Sequence, residues 1–176
     1  MACAVWLYSS PSRSAWPNHY DWQIRKSARH YLPYEPWQLY KAQLIQESSL
    51  NPEATSRVGA RGLAQFMPRT WADVSRQLQF DGSPTDAHLA IPAGAYYMAQ
   101  LRAVWHWPRP ETDRYNLALA CYNAGCGRIL AAQQRCHNPS RYSDIMACLE
   151  QVMPDPNETL HYAPSIRAIY RELMNE

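Results

Sequence analysis

Apolar residues recur three and four positions apart along most of this chain, and hardly any segment alternates apolar and polar residues with period two. Side chains repeat every 3.6 residues around a helix and every two along a strand, so the pattern calls for helices and leaves little for a sheet. Prolines and Asn/Gly turns cut the pattern into short pieces. With 176 residues, the chain suits a single domain with a sizeable core. The expected architecture is all-α, with seven or eight helices in one lobe.

Residues 1–20 are rich in Ser, Pro and aromatics without a period, and read as an N-terminal arm anchored by Trp6 and Trp16. A basic helix is expected over about residues 21–32, with Ile24, Ala28, Tyr31 and Leu32 on its inner side. Its outer side carries Arg25, Lys26, Arg29 and His30, a face that is more often solvated than engaged by an anionic partner. Further helices are expected from Pro36, from Pro68 through Trp71, Val74 and Leu78, and from Pro92 with Ala95, Met98, Leu101 and Trp105 inward. Asp113 can cap a strongly apolar helix over residues 115–123 that ends at Asn123-Ala124-Gly125. Short helices over about 128–135 and 142–149 follow. The last helix, capped by Asn157, runs to Leu173 with a kink at Pro164.

One helix holds the residue of most chemical interest. From Pro36, apolar positions Trp37, Tyr40, Leu44 and Ile45 recur at helical spacing with Lys41 and Ser48, and Asn51-Pro52 then turns the chain. At ~100° per residue, Glu47 falls beside Tyr40, on the border of the apolar stripe. Partial desolvation there raises a carboxyl's pKa and suits it to donate a proton near neutral pH. On position alone, a surface Glu at a helix end is the commoner case.

Composition narrows the function classes. A formal net charge of +2 is too mild to indicate nucleic acid, though it is compatible with an anionic polymer such as a cell wall. No apolar run approaches the ~20 residues of a membrane span. The apolar start, Ala2 to Tyr8, lacks a basic n-region and does not read as a standard signal peptide. Either the chain acts where it is made or something else carries it across a membrane. Five cysteines leave at least one unpaired within a monomer, and no pair has the CxxC spacing of a zinc or redox site. Cys136 and Cys148 can pair in an oxidising compartment. Otherwise the cysteines serve as small buried hydrophobes. Trp and Tyr together outnumber Phe nineteen to two, and their flat faces with polar tips suit sugar rings as well as a core.

Four blocks, in order, resemble the catalytic domain of lytic transglycosylases, the soluble-lytic-transglycosylase relatives of goose-type lysozyme. They are residues 47–52 (Glu-Ser-Ser-Leu-Asn-Pro), 59–68 (Gly-Ala-Arg-Gly-Leu-Ala-Gln-Phe-Met-Pro), 120–125 (Ala-Cys-Tyr-Asn-Ala-Gly) and 158–162 (Glu-Thr-Leu-His-Tyr), with Ile166 after the last. With the spacer helices they cover about residues 24–172. Two positions depart from the family's usual pattern: Ala64 stands where Met is usual, and Cys121 where Ala is usual. Neither departure removes a polar group. The resemblance implies an all-α, lysozyme-like domain over 21–176 with a substrate groove.

The same resemblance implies cleavage of the β-1,4 bond between N-acetylmuramic acid and N-acetylglucosamine in peptidoglycan, leaving 1,6-anhydro-muramyl ends. Glu47 corresponds to the single acid and base. Ser48 resembles a helper for Glu47 or the sugar, and Tyr162 a support for the acid or the anomeric region. Gln65, Met67, Tyr122 and Asn123 resemble groove residues, although Met67 suits core packing equally well. Trp105 and Trp107 offer sugar platforms, with the core a better place for at least one. The partners implied are peptidoglycan glycan strands, met by a monomer acting on the bacterial wall in the periplasm, with no metal, other cofactor or nucleic acid. The single domain without a leader resembles bacteriophage lysins and virion-associated wall enzymes, and it fits a secretion-system accessory enzyme or a piece of a longer chain as well. A hydrolysing muramidase on the same fold would need a second carboxylate, for which Asp73, Asp81, Asp86 and Asp113 are available. A non-catalytic wall-binding module would have no need of Glu47.

Overall fold

The computed structural model describes residues 16–175. Trp6, Cys3 and most of the expected arm therefore lie outside the described residues, while Trp16 is half-buried. Eight α-helices follow among the described residues: α1 (Asp21–Tyr31), α2 (Trp37–Ser48), α3 (Pro68–Leu78), α4 (Ala87–Val104), α5 (Glu111–Ala124), α6 (Cys126–Arg135), α7 (Tyr142–Met146) and α8 (Asn157–Met174). A 3-10 turn, Leu149–Gln151, lies between α7 and α8. Among the described residues, extended pairing is limited to isolated bridges of Arg61 with Thr55 and with Phe66. The chain forms two compact units: one reaches to Tyr96 and resumes at Ile166, and the other is Tyr97–Ser165.

In the first unit α1 packs on α2 through Ile24, Ala28 and Leu32, as its spacing predicts. The second helix departs from the expected stripe. Every residue from Leu39 to Ile45 is buried, including Lys41 and Gln43. A helix enclosed on all sides must satisfy its polar groups internally. Lys41 does so through an ion pair with Asp21 at 2.6 Å. The Tyr40 hydroxyl donates to the Ile91 carbonyl at 2.6 Å.

Helix α4 begins five residues before Pro92, because Asp86 Oδ1 accepts from the His88 N–H at 2.8 Å and starts the helix there. Pro92 is thus inside the helix, where it cannot donate to the carbonyl four residues back. That carbonyl belongs to His88, and Gln23 Nε2 of α1 donates to it at 2.9 Å. The proline is tolerated because a neighbouring side chain supplies the missing donor.

In the second unit α5 is buried through Leu117–Cys121, and α6 and α7 pack against it. It begins at Glu111, four residues earlier than expected, which puts Asp113 in its first turn rather than at its cap. Among the described residues two disulfides are present, Cys121–Cys126 and Cys136–Cys148, with Cα separations of 4.3 and 5.9 Å. The second is the pairing that the sequence allowed as an alternative, and both replace the main expectation of reduced, buried thiols. Gly125, at φ +85°, turns the chain between α5 and α6 and brings residues five apart together. α8 continues past Pro164 to Met174. No described helix is long and apolar enough to cross a membrane.

Candidate active site

Glu47 and Ser48 are the last two residues of α2, and Glu47 is half-buried. Ser49 (φ 54°) and Leu50 (φ 61°) then adopt left-handed conformations in succession. For residues other than glycine this costs roughly 1–2 kcal/mol each. The Leu50 side chain is buried in the core, and that burial offsets the cost by a similar amount, about 1.5–3 kcal/mol. The Ser49 N–H closes the helix on the Ile45 carbonyl at 2.7 Å. The Asn51 side chain then accepts from the Glu53 N–H at 3.0 Å and fixes the turn. Glu47 therefore sits on a helix end that is locked from both sides.

The loop of residues 54–66 is the second part of the first unit's site. Ser48 Oγ is 2.9 Å from the Leu63 carbonyl and 3.3 Å from that of Leu44, so its one hydroxyl hydrogen ties the helix end to this loop. Ser48 thereby positions the loop beside Glu47, which differs from a direct hold on the acid. Ser48→Ala leaves the Leu63 carbonyl without this donor and is expected to cost about 1 kcal/mol. In thermal unfolding this reads as a fall of roughly 2–4 °C for a chain of this size.

Gln65 (φ 46°) is half-buried, and its Nε2 donates to the carbonyls of Gly62 at 2.9 Å and Ala54 at 3.2 Å. Because both neighbours are acceptors, the amide orientation is fixed by its partners. Its carbonyl oxygen is the end left to accept from a ligand, such as an acetamido N–H. Met67 is half-buried at the N-terminal cap of α3. Gly62 (φ +77°) makes a close backbone approach, since a Cβ there would collide with the Pro84 carbonyl. Gly59 (φ +88°) faces open space, so its role is the turn alone.

The second unit holds the remaining candidates. Tyr122 and Asn123 end α5, next to the Cys121–Cys126 disulfide, and the Arg128 guanidinium donates to the Ala124 carbonyl at 2.9 Å. Asn123 is gripped at both ends of its amide: Nδ2 donates to Glu158 at 2.6 Å, and Oδ1 accepts from the Thr159 hydroxyl at 2.7 Å. One Nδ2 hydrogen remains for a ligand. Glu158 and Thr159, part of the fourth motif block, thus orient the Asn123 amide. Tyr122 packs its ring 5.4 Å from that of Tyr97, whose phenol burial pushes above its usual pKa and keeps a neutral donor. Tyr162 is buried on α8, one turn beyond Glu158.

The other candidates separate clearly. Trp105 is core, at 1% exposure, whereas Trp107 is 68% exposed. Asp73 pairs with Arg76 at 3.3 Å, and Asp86 caps α4. Asp81 is exposed, and Asp113 lies half-buried in the first turn of α5.

The chain is similar to proteins named membrane-bound lytic murein transglycosylase F. It is 31% identical over 141 residues to that of Maricaulis maris, covering 80% of this chain and 30% of the relative. It is 32% identical over 153 residues to one from Alkalilimnicola ehrlichii, covering 84% of this chain and 33% of the relative. Among solved structures it resembles an inactive glutamate-to-glutamine mutant of the lytic transglycosylase Slt from Pseudomonas aeruginosa, with TM-score 0.67 and 25% identity over 91% of this chain and 25% of the other. It also resembles the 70 kDa soluble lytic transglycosylase of Escherichia coli, with TM-score 0.64 and 25% identity over 92% of this chain and 25% of the other. The lysozyme-like, all-helical architecture is thus shared, and the chain spans about a third of the length of the curated relatives it matches. Residues 27–145, more than half of the chain, match the family model described as the Transglycosylase SLT domain, and the chain belongs to that family.

Proposed function

We propose that the chain is a peptidoglycan lytic transglycosylase that cuts the β-1,4 bond between N-acetylmuramic acid and N-acetylglucosamine. The observation that carries the reading is Glu47, a half-buried carboxyl on a locked helix end in a chain of this family. Protonated Glu47 gives its proton to the leaving glycosidic oxygen. The muramyl 2-acetamido group stabilises the cation that develops at the anomeric carbon. Glu47, now a carboxylate, takes the proton of the same sugar's 6-hydroxyl as that oxygen bonds to the anomeric carbon. One bond breaks and one forms, the proton returns to Glu47, and no water is consumed. The nucleophile is already tethered, so effective molarity supplies much of the acceleration and a second carboxylate is unnecessary.

In this reading Gln65 accepts from a substrate acetamido N–H, with Met67 lining the sugar path. Tyr122 and the free Asn123 hydrogen bind acetamido or hydroxyl groups near the cut. Tyr162 supports the anomeric region, and Ser48 acts through the loop it holds. Asn123 depends on Glu158 for its orientation. Glu158→Ala is expected to lower kcat/KM by roughly tenfold or more, from the loss of a charge-assisted bond. Glu158→Gln, whose amide oxygen still accepts, is expected to keep more of the activity. Steady-state rates on solubilised glycan strands check this.

Mass spectrometry of products from purified peptidoglycan tests the reading. Muropeptides one water lighter than the reducing-end form are expected. Reducing-end muramic acid would mean hydrolysis, and wall binding without any product would mean a binding module.

A further inference from the structure

The outer face of α1 is not accounted for by the fold or by the proposed chemistry. Trp22, Arg25, Lys26 and Arg29 are spaced i, i+3, i+4 and i+7, so they form one stripe along the helix, about 10 Å long. The four line an open recess of about 280 Å³. Trp22 is 72% exposed and lies under the Lys26 ammonium, 5.1 Å from its ring centroid. The Arg25 guanidinium stands 5.2 Å over the Trp37 ring. Aromatic faces thus steer two of the three cations.

No acidic side chain pairs with Arg25, Lys26 or Arg29 among the described residues. The nearby Asp21 is taken by Lys41. Since the whole chain carries a formal net charge of only +2, this stripe exceeds the entire excess. Three like charges without a counter-ion among the described residues repel one another, and an anionic ligand relieves that repulsion.

We propose that this stripe binds the carboxylate-bearing peptide stems of the wall polymer, which rests on the transglycosylase reading above for the choice of substrate. Arg25 and Arg29, one turn apart, offer the planar forks that grip carboxylates in pairs. Trp22 supplies a flat surface for a peptide backbone. A lipid surface fits less well, because the apolar residues of α1, Ile24 and Ala28, are buried in the fold and leave Trp22 alone to insert. The stripe then gives the enzyme a preference for strands that still carry peptides, separate from the groups that act at the glycosidic bond.

The test compares the chain with and without Arg25→Gln/Lys26→Gln/Arg29→Gln, which removes the charges without reversing them, on glycan strands that carry peptide stems and on strands freed of stems by an amidase, all tethered to beads, and on vesicles containing an anionic lipid. Pull-down at low salt is the first readout, made in a Glu47→Gln background so that no strand is cut. The parent is expected to bind stem-bearing strands roughly five- to tenfold more tightly than stripped ones, as suits three exposed charge contacts. The triple variant is expected to lose that difference and to bind stripped strands as before. With Glu47 restored, its KM on stem-bearing strands should rise by a similar factor with kcat unchanged. Equal binding of both kinds of strand by the parent would overturn the proposal, as would a variant that weakens on both or on neither. So would a loss confined to the vesicles, which would mark a membrane dock. If no anhydro product forms with the native chain, the catalytic reading fails while the pull-down still decides the stripe.

Discussion

Glu47→Gln is expected to lower the rate of wall cleavage by about 10²–10⁴-fold while leaving the fold intact. The amide has the same shape as the acid, so the locked helix end at Ser49 and Leu50 has no reason to move. What disappears is the proton. An amide can neither protonate the glycosidic oxygen nor take the proton of the 6-hydroxyl, and the proposed reaction asks one group to do both in turn. Glu47→Asp separates charge from placement. It keeps an ionisable carboxyl but withdraws it by one methylene from the bond to be cut, and it too should be slow. Thermal unfolding of both variants beside their rates provides the check. A Glu47→Gln protein within tenfold of native activity would remove Glu47 from the chemistry.

Gly62→Ala is expected to be the most destabilising of the substitutions considered, at about 3 kcal/mol. Two costs combine. At φ +77° any side chain is strained by roughly 1–2 kcal/mol. The new Cβ would also run into the Pro84 carbonyl, a backbone group that cannot rotate aside, and overpacking of this kind typically costs about 1–3 kcal/mol. Gly59→Ala is the matched control, since it carries the same sign of φ (+88°) with open space around it and should lose only the conformational part. Urea unfolding of the two variants separates the terms, and equal losses would mean that the approach of residue 62 to Pro84 is not felt. Activity should fall with Gly62→Ala as well. The displaced loop carries the Leu63 carbonyl that Ser48 holds and the Gly62 carbonyl that Gln65 holds.

Local signals in the sequence account for the helices that match expectation. α3 starts at Pro68 and buries Trp71 and Val74. α1 buries Ile24 and Ala28 and leaves its cations outward. Most of the failures arise from contacts with distant parts of the chain, and one from a local turn. Pro92 reads as a helix start only because nothing local reveals that Gln23 will donate to the His88 carbonyl. The enclosure of α2 was hidden by Lys41, whose partner Asp21 lies twenty residues upstream. Cys121 and Cys126, five apart, match no metal or redox spacing, and only the turn at Gly125 makes them neighbours. Asn123 was legible as a candidate through its motif. Its dependence on Glu158 and Thr159 required the start of α8 to be brought to the end of α5.

The central claim is that the attacking oxygen comes from the sugar and not from solvent. Digesting purified peptidoglycan with the native chain in water enriched in heavy oxygen, followed by mass spectrometry of the muramyl ends, tests it most directly. Ends at natural mass, lacking one water and carrying no heavy oxygen, are the predicted result. Heavy oxygen in reducing-end muramic acid would show that water is the nucleophile, and would contradict a mechanism in which Glu47 activates the 6-hydroxyl.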